Sequence, residues 1–325
     1  MTKIDRPRHV AWKRIGRVAS ALGPVVAILV VGYVVFAHGA AVATALTAVP
    51  PWAIVGAVMA HLLTLALRTE AWRTVLRGIG TKSLDPRDLH AANAGAFLAG
   101  TVQGHLAMPA RIALLRRFGG EGAPGVSQLA LADAPIVLFE VCTTAVLAAV
   151  ASTAIGVIPM WAPWAMLAGA LAALAALRLI YGRRPGSRLA AGLAVLARGD
   201  LRNRLALIVA AFTVMALVRT WIVLGAFDLP TDPAHLCLVL LSMGAVGLLP
   251  IGIGTGPTAT VAALGATSVA TATAAGLVVS AATVLAVLIY TGVCWAWRGR
   301  LTAPMPRPAA SIGVRCERAR QDSNL

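Results

Sequence analysis

The residues with chemistry to offer are the few charged and polar side chains set inside apolar runs. Glu140 stands midway along the apolar run 129–151, and Arg219 lies toward the end of the run 205–227. A charge at bilayer depth costs about 2.5–3.5 kcal/mol or more, so such groups face a cavity or one another. Glu140 and Arg219 are therefore expected to line a path for a polar headgroup, as partners of each other. The plainer reading of Arg219 is snorkelling to the interface; that of Glu140 is a local pairing. Arg111 closes Met108-Pro109-Ala110-Arg111, where a helix break frees backbone groups and a guanidinium can hold a phosphate through paired N–H donors. Its alternative is an ordinary anchor at the membrane face. Asn93 and Gln103 share the arm before that break but fall on different faces, so only one should face a cavity, and Asn93 is the candidate. His105, on the same arm, reads as a packed or interfacial side chain.

Other chemistries lack their patterns. Gly252, Gly254 and Gly256 sit between Pro250 and Pro257, but no strand precedes them, so a nucleotide loop fails its context and a tight backbone turn is expected. No Walker A, Ser-His-Asp, paired-Asp or His-Glu-x-x-His pattern occurs, so the chain is expected to be no enzyme and to use no bound ATP. His38, His61, His90 and His235 are scattered without metal-ligand spacing, so neither a metal nor a cofactor is expected. Cys142, Cys237, Cys294 and Cys316 show no paired spacing and read as packing residues.

The elements that hold these residues follow from composition. Of 325 residues, 59% are hydrophobic and 12% charged, with a mean hydropathy of +0.82. Soluble domains carry about 25% charged residues, so lipid is the main solvent here. The net charge of +16 would suggest nucleic acid in a soluble protein. Here basic linkers alternate with uncharged or acidic ones, the pattern of positive charge retained in the cytoplasm, so no nucleic-acid partner is expected. Six apolar runs are long enough to cross: 21–38, 52–68, 129–151, 161–181, 205–227 and 273–297. The run from Ala21 to Ala37 also resembles a signal peptide with Ala41-Val42-Ala43 as cleavage site, and is read as an uncleaved span.

Two further regions, 89–118 and 234–270, break at Met108–Arg111 and at Pro250–Pro257 and read as re-entrant hairpins. Placing basic residues inside sets 39–51 and 228–232 outside, with both termini cytoplasmic in the plasma membrane. The expected fold is an all-α integral membrane bundle of six transmembrane helices plus two re-entrant broken hairpins, arranged as an inverted repeat of halves 21–151 and 161–297. Residues 1–20 form a basic arm, and 298–325 a disordered basic tail.

Three stretches carry a resemblance: Leu67-Arg-Thr-Glu-Ala-Trp-Arg73, Met108-Pro-Ala-Arg-Ile-Ala-Leu-Leu-Arg-Arg117 and Leu249-Pro-Ile-Gly-Ile-Gly-Thr-Gly256. Together the chain resembles the lysylphosphatidylglycerol synthase transmembrane, or flippase-like, family over about 20–297. The resemblance implies movement of lipids across the bilayer and carries over to Pro109, Arg111, Arg117, Pro250, Gly254 and Gly256. The family pattern places Gly-Glu after Pro-x-Arg, where this chain has Ala113-Leu114, and a Glu after the glycine-rich break, where it has Thr258, Ala259 and Thr260. The expected function is a translocase for an anionic or amphipathic lipid, with a lipid-linked glycan among the options. The alternative is a scaffold for a separate lipid-modifying enzyme. Membrane lipids are the expected partners.

Overall fold

The computed structural model describes residues 36, 39–80, 85–119, 123–155, 159, 161–183, 193–247, 260, 263–264 and 269–302. Every regular element among them is helical. In chain order these are α1 (Pro51–Ile79), α2 (Pro86–Val102), a 3-10 turn (Gly104–Leu106), α3 (Ala107–Gly119), α4 (Val126–Ile155), α5 (Trp161–Arg183), α6 (Ala194–Ala197), α7 (Gly199–Ala226), α8 (Pro233–Gly247) and α9 (Val269–Thr302). Five of them, α1, α4, α5, α7 and α9, are long and apolar enough to cross a bilayer. The described residues are all-helical, and the chain is a membrane protein. The expected first span, 21–38, falls outside the described residues apart from Phe36, as do the arm 1–20 and the second break with Pro250, Gly252, Gly254 and Gly256.

Local chemistry sets the ends of the helices, and it moves three expected boundaries. The apolar run expected to cross ends at 68, where Arg68 opens a charged stretch, but the helix α1 does not end with it. Instead it runs to Ile79, since nothing in Arg68–Arg77 breaks a helix, and Gly80 ends it in the left-handed region (φ 85) with its N–H on Arg77 O and Leu76 O. The first hairpin turns at Gln103–Leu106, ahead of the expected break at Met108–Arg111: Gln103 is extended (φ −156, ψ 116) and α3 begins at Ala107. Pro109 thus lies in the first turn of α3, where its missing N–H removes no helical bond. α9 continues to Thr302, so 298–302 belong to a helix and not to a disordered tail. Residues 39–47, expected as a linker, are helical. Asp85 caps α2 by accepting Arg87 N, and Asp232 caps α8 by accepting Ala234 N and His235 N.

α1 and α7 pack antiparallel at the centre of the bundle, with Gly56 against Ile222 and Arg68 over the Phe212 ring. α2 and α3 form a hairpin in which Gly95 faces Leu114 and Gly100 faces Ala107. α2 lies along α9: Trp295 Nε1 donates to Ala91 O and Thr291 Oγ1 to Ala94 O. α8 in turn packs on α4. Each half of the chain therefore lends a hairpin arm to the last long helix of the other.

One apolar core joins α1, α2, α3, α4, α6 and α7 near the basic end of the bundle, around Trp72, Leu115, Leu129 and Leu205. A second joins α1, α7, α8 and α9 at the opposite end. α5 contributes least, and its Leu171 and Leu179 remain exposed, as suits a helix facing lipid. Exposed Trp52, Trp161 and Trp164 at one end and Trp295 and Trp297 at the other mark the two interfaces.

α6 meets α1 where Gly78 lies against the backbone: a Cβ on Gly78 would come within 2.9 Å of Val195 N. Because the obstacle is main chain, Gly78→Ala is expected to cost about 1–3 kcal/mol. A lower melting temperature in detergent, with helix content retained, is the measurement that checks it.

Candidate functional site

A cavity of about 200 Å³ opens between α1, the tip of the α2–α3 hairpin and α4. Arg68 and Trp72 reach it from α1, Met108 and Arg111 from α3, and Asp133 and Glu140 from α4. The placement follows from helical periodicity: Arg68 and Trp72 are four apart, Asp133 and Glu140 seven apart, so each pair shares a face. The 3-10 turn delivers Gly104 and the start of α3 to the rim, which lets Arg111 point back into the bundle.

Two ion pairs span the cavity. Arg68 Nη2 donates to Glu140 Oε1 at 2.6 Å, while its guanidinium lies 5.1 Å from the Phe212 ring centroid. Arg111 Nη1 donates to Asp133 Oδ1 at 3.4 Å and stacks over Trp72 at 4.6 Å and Phe97 at 5.8 Å. Arg111 is buried, and its enclosed Nε has no hydrogen-bond acceptor. The cavity is thus lined by two cations and two carboxylates, with donor capacity left over on Arg111.

Of the candidates from sequence, Arg111 and Glu140 meet here. Glu140 pairs with Arg68, so its expected pairing with Arg219 does not form: α7 turns Arg219 toward α1 and α9, where Nη1 donates to His61 Nδ1 at 2.8 Å and to Thr283 Oγ1 at 3.1 Å. Snorkelling of Arg219 is likewise excluded by its burial. Asn93 does not face the cavity. It is fully buried in the α2 packing face, with Nδ2 on Leu89 O at 3.2 Å. Gln103 ends α2 at the hairpin tip and does not line the cavity either, while His105 is exposed there.

Arg68 and Trp72 stand in the Leu67–Arg73 stretch and His61 among the scattered histidines, without an expected site role, and Asp133 carries no motif of its own. Asp133 and Glu140 at a spacing of seven in an apolar run was the signal available for Asp133. Among the described residues no cluster of three His, Cys, Asp or Glu could hold a metal ion.

The hairpin is tied down at its open end. Arg298 Nε donates to Asp88 Oδ1 at 2.7 Å and lies 3.8 Å from the Phe118 ring, so one side chain of α9 grips both arms. Beside it, Tyr290 OH meets His90 Nδ1 at 2.7 Å and Thr69 Oγ1 at 3.0 Å, linking α9, α2 and α1. Replacing Arg298 by Ala is expected to cost about 1.5 kcal/mol. It should also raise hydrogen exchange in α2 and α3 ahead of the rest of the bundle, which exchange mass spectrometry would read.

The hairpin that carries Pro109 and Arg111 thus forms one wall of a cavity lined by ion pairs between apolar helices. The family described as Lysylphosphatidylglycerol synthase TM region matches residues 20–291. The chain belongs to that family. The match runs from before α1 nearly to the end of α9, so the lysylphosphatidylglycerol synthase TM region includes the whole cavity. No curated protein and no solved structure matches the chain.

Proposed function

We propose that this member of the lysylphosphatidylglycerol synthase TM region family is a flippase-like translocase, without a catalytic step, for an anionic or amphipathic lipid. A lipid-linked glycan is within that class. The observation that carries the reading is the cavity at the hairpin tip, with Arg68–Glu140 and Arg111–Asp133 across it. A phosphate entering there competes with Asp133 and Glu140 for the two guanidinium groups, and a charge-assisted bond released in one place is remade in another. At about 200 Å³ the space is smaller than the ~300–1,000 Å³ of sites that enclose a whole drug-sized ligand, which suits a headgroup whose chains stay in lipid.

The pairing of α1 with α7, of α2 with α9 and of α8 with α4 supports an inverted repeat, in which 89–118 and 234–270 dip from opposite faces. Gathering of basic residues at one end, seen in Arg204 near Glu70 and Arg298 on Asp88, supports a plasma-membrane orientation with both termini cytoplasmic. The absence of the family's acidic residues after Arg111 and after the glycine-rich break favours a scaffold for a lipid-modifying enzyme. Against that, α4 supplies two carboxylates to the cavity from another direction.

Reconstituted liposomes with lipids labelled in one leaflet, across a broad panel of headgroups, test the proposal. Movement faster than in protein-free vesicles is the expected result, and none across the panel would sink it. Cells carrying Ala at Arg111, Glu140 and Arg219 that behave as wild type, at normal protein level, would point to the scaffold.

A further inference from the structure

Arg219 is a buried cation with no counterion among the described residues. Its guanidinium has five N–H donors. Nη1 reaches His61 Nδ1 at 2.8 Å and Thr283 Oγ1 at 3.1 Å, while the enclosed Nε meets no acceptor. An arginine only donates, so His61 Nδ1 holds a lone pair, the imidazole is neutral, and its proton sits on Nε2 as a further donor. Thr283 gives its own hydroxyl proton to Val279 O at 2.8 Å. Neither partner is negative, and among the described residues no carboxylate lies within ion-pair distance of Arg219. By contrast, Arg68, Arg73, Arg111, Arg204 and Arg298 each have one.

An unpaired charge that is 7% exposed in a membrane bundle is expensive, and three helices converge to enclose it. An oxyanion satisfies both the charge and the idle Nε donor in one step. None of Arg219, His61 and Thr283 lines the cavity, although His61 stands two turns from Arg68 on the same face of α1.

We propose that Arg219, His61 and Thr283 form a second binding site for a phosphate-bearing anion, taken from a lipid headgroup or from free phosphate. The site goes beyond the translocation reading, since an anion can bind here whether or not lipids cross.

Native mass spectrometry of the full chain in neutral detergent tests it, with three probes: dioctanoyl phosphatidylglycerol, dioctanoylglycerol, which has the same chains and no phosphate, and inorganic phosphate. Arg219→Gln should raise the Kd for the phosphate-bearing probe at least tenfold and leave dioctanoylglycerol unchanged. Binding of phosphatidylglycerol alone identifies a headgroup, and binding of inorganic phosphate as well identifies a general oxyanion site; both support the proposal. Equal binding of all three probes by wild type and Arg219→Gln, or no phosphate-dependent binding at all, overturns it.

If Arg219→Gln does not fold, Arg219→Lys keeps the charge and loses the planar fork. Phosphatidylglycerol should then raise the melting temperature of wild type and not of Arg219→Lys, and an equal rise in both overturns the site. Repeating the titration in an Arg111→Met/Asp133→Leu background separates the two sites. Arg219-dependent binding that survives there supports the proposal even where transport is lost, and its disappearance assigns the anion to the cavity and overturns it.

Discussion

Asp133→Leu is expected to destabilise the protein by about 3 kcal/mol, because it leaves the buried Arg111 guanidinium without its carboxylate. The figure sits at the low end for a broken buried pair, since Asp133 keeps 28% of its side-chain surface exposed. Stacking over Trp72 and Phe97 holds Arg111 in place but does not neutralise it. Removing both charges should behave differently. In Arg111→Met/Asp133→Leu an apolar pair fills the same space, the methionine sulfur meets Trp72, and stability should return to within about 1 kcal/mol of wild type. The same double variant should show no lipid movement above protein-free vesicles. A melting curve in detergent and the liposome assay, run on the single and double variants together, separate folding from transport. A double variant that is both stable and fully active would remove this pair from the path.

The second large effect concerns Arg68 and Glu140. Arg68→Glu sets two carboxylates against each other where a 2.6 Å ion pair stood, and Glu140→Arg sets two cations there. Each reversal is expected to lower lipid movement by about tenfold to a hundredfold, whereas the double reversal restores it to within about threefold, a coupling in the range of residues in direct contact. Stability should change little, because Arg68 is 44% exposed and solvent screens the pair. Initial rates in the liposome assay, at matched protein per vesicle, give the coupling. Additive losses in the double reversal would show that the two side chains act independently.

Much of this architecture is legible in the chain because it is local. Apolar length marks α1, α4, α5, α7 and α9 as crossings without reference to any neighbour. The hairpin was legible for the same reason, as two apolar arms too short to cross. Its turn was misplaced by a few residues because Pro109 was read as the break, whereas proline is accommodated in a first turn and the extended Gln103 does the breaking. The extension of α1 through Arg77 is not legible in the length of the apolar run, because charge bars lipid and not helix. Arg111 and Glu140 could be singled out from burial cost alone, since a charge in hydrocarbon requires a partner whichever one it finds.

Which partner it finds was beyond the sequence. Successive residues of a helix are rotated by about 100°, and helices slide past one another in steps of about 1.5 Å, so a contact across two helices depends on rotation and register that no single run contains. The chain by itself determined that it would be a helical membrane bundle with charges held inside and basic residues gathered at one end. Only the packing of α1 between α4 and α7 decided that Glu140 would meet Arg68 and that Arg219 would meet His61. Those contacts arise from the mutual register of three helices, which is a property of the assembled bundle and not of any segment of it.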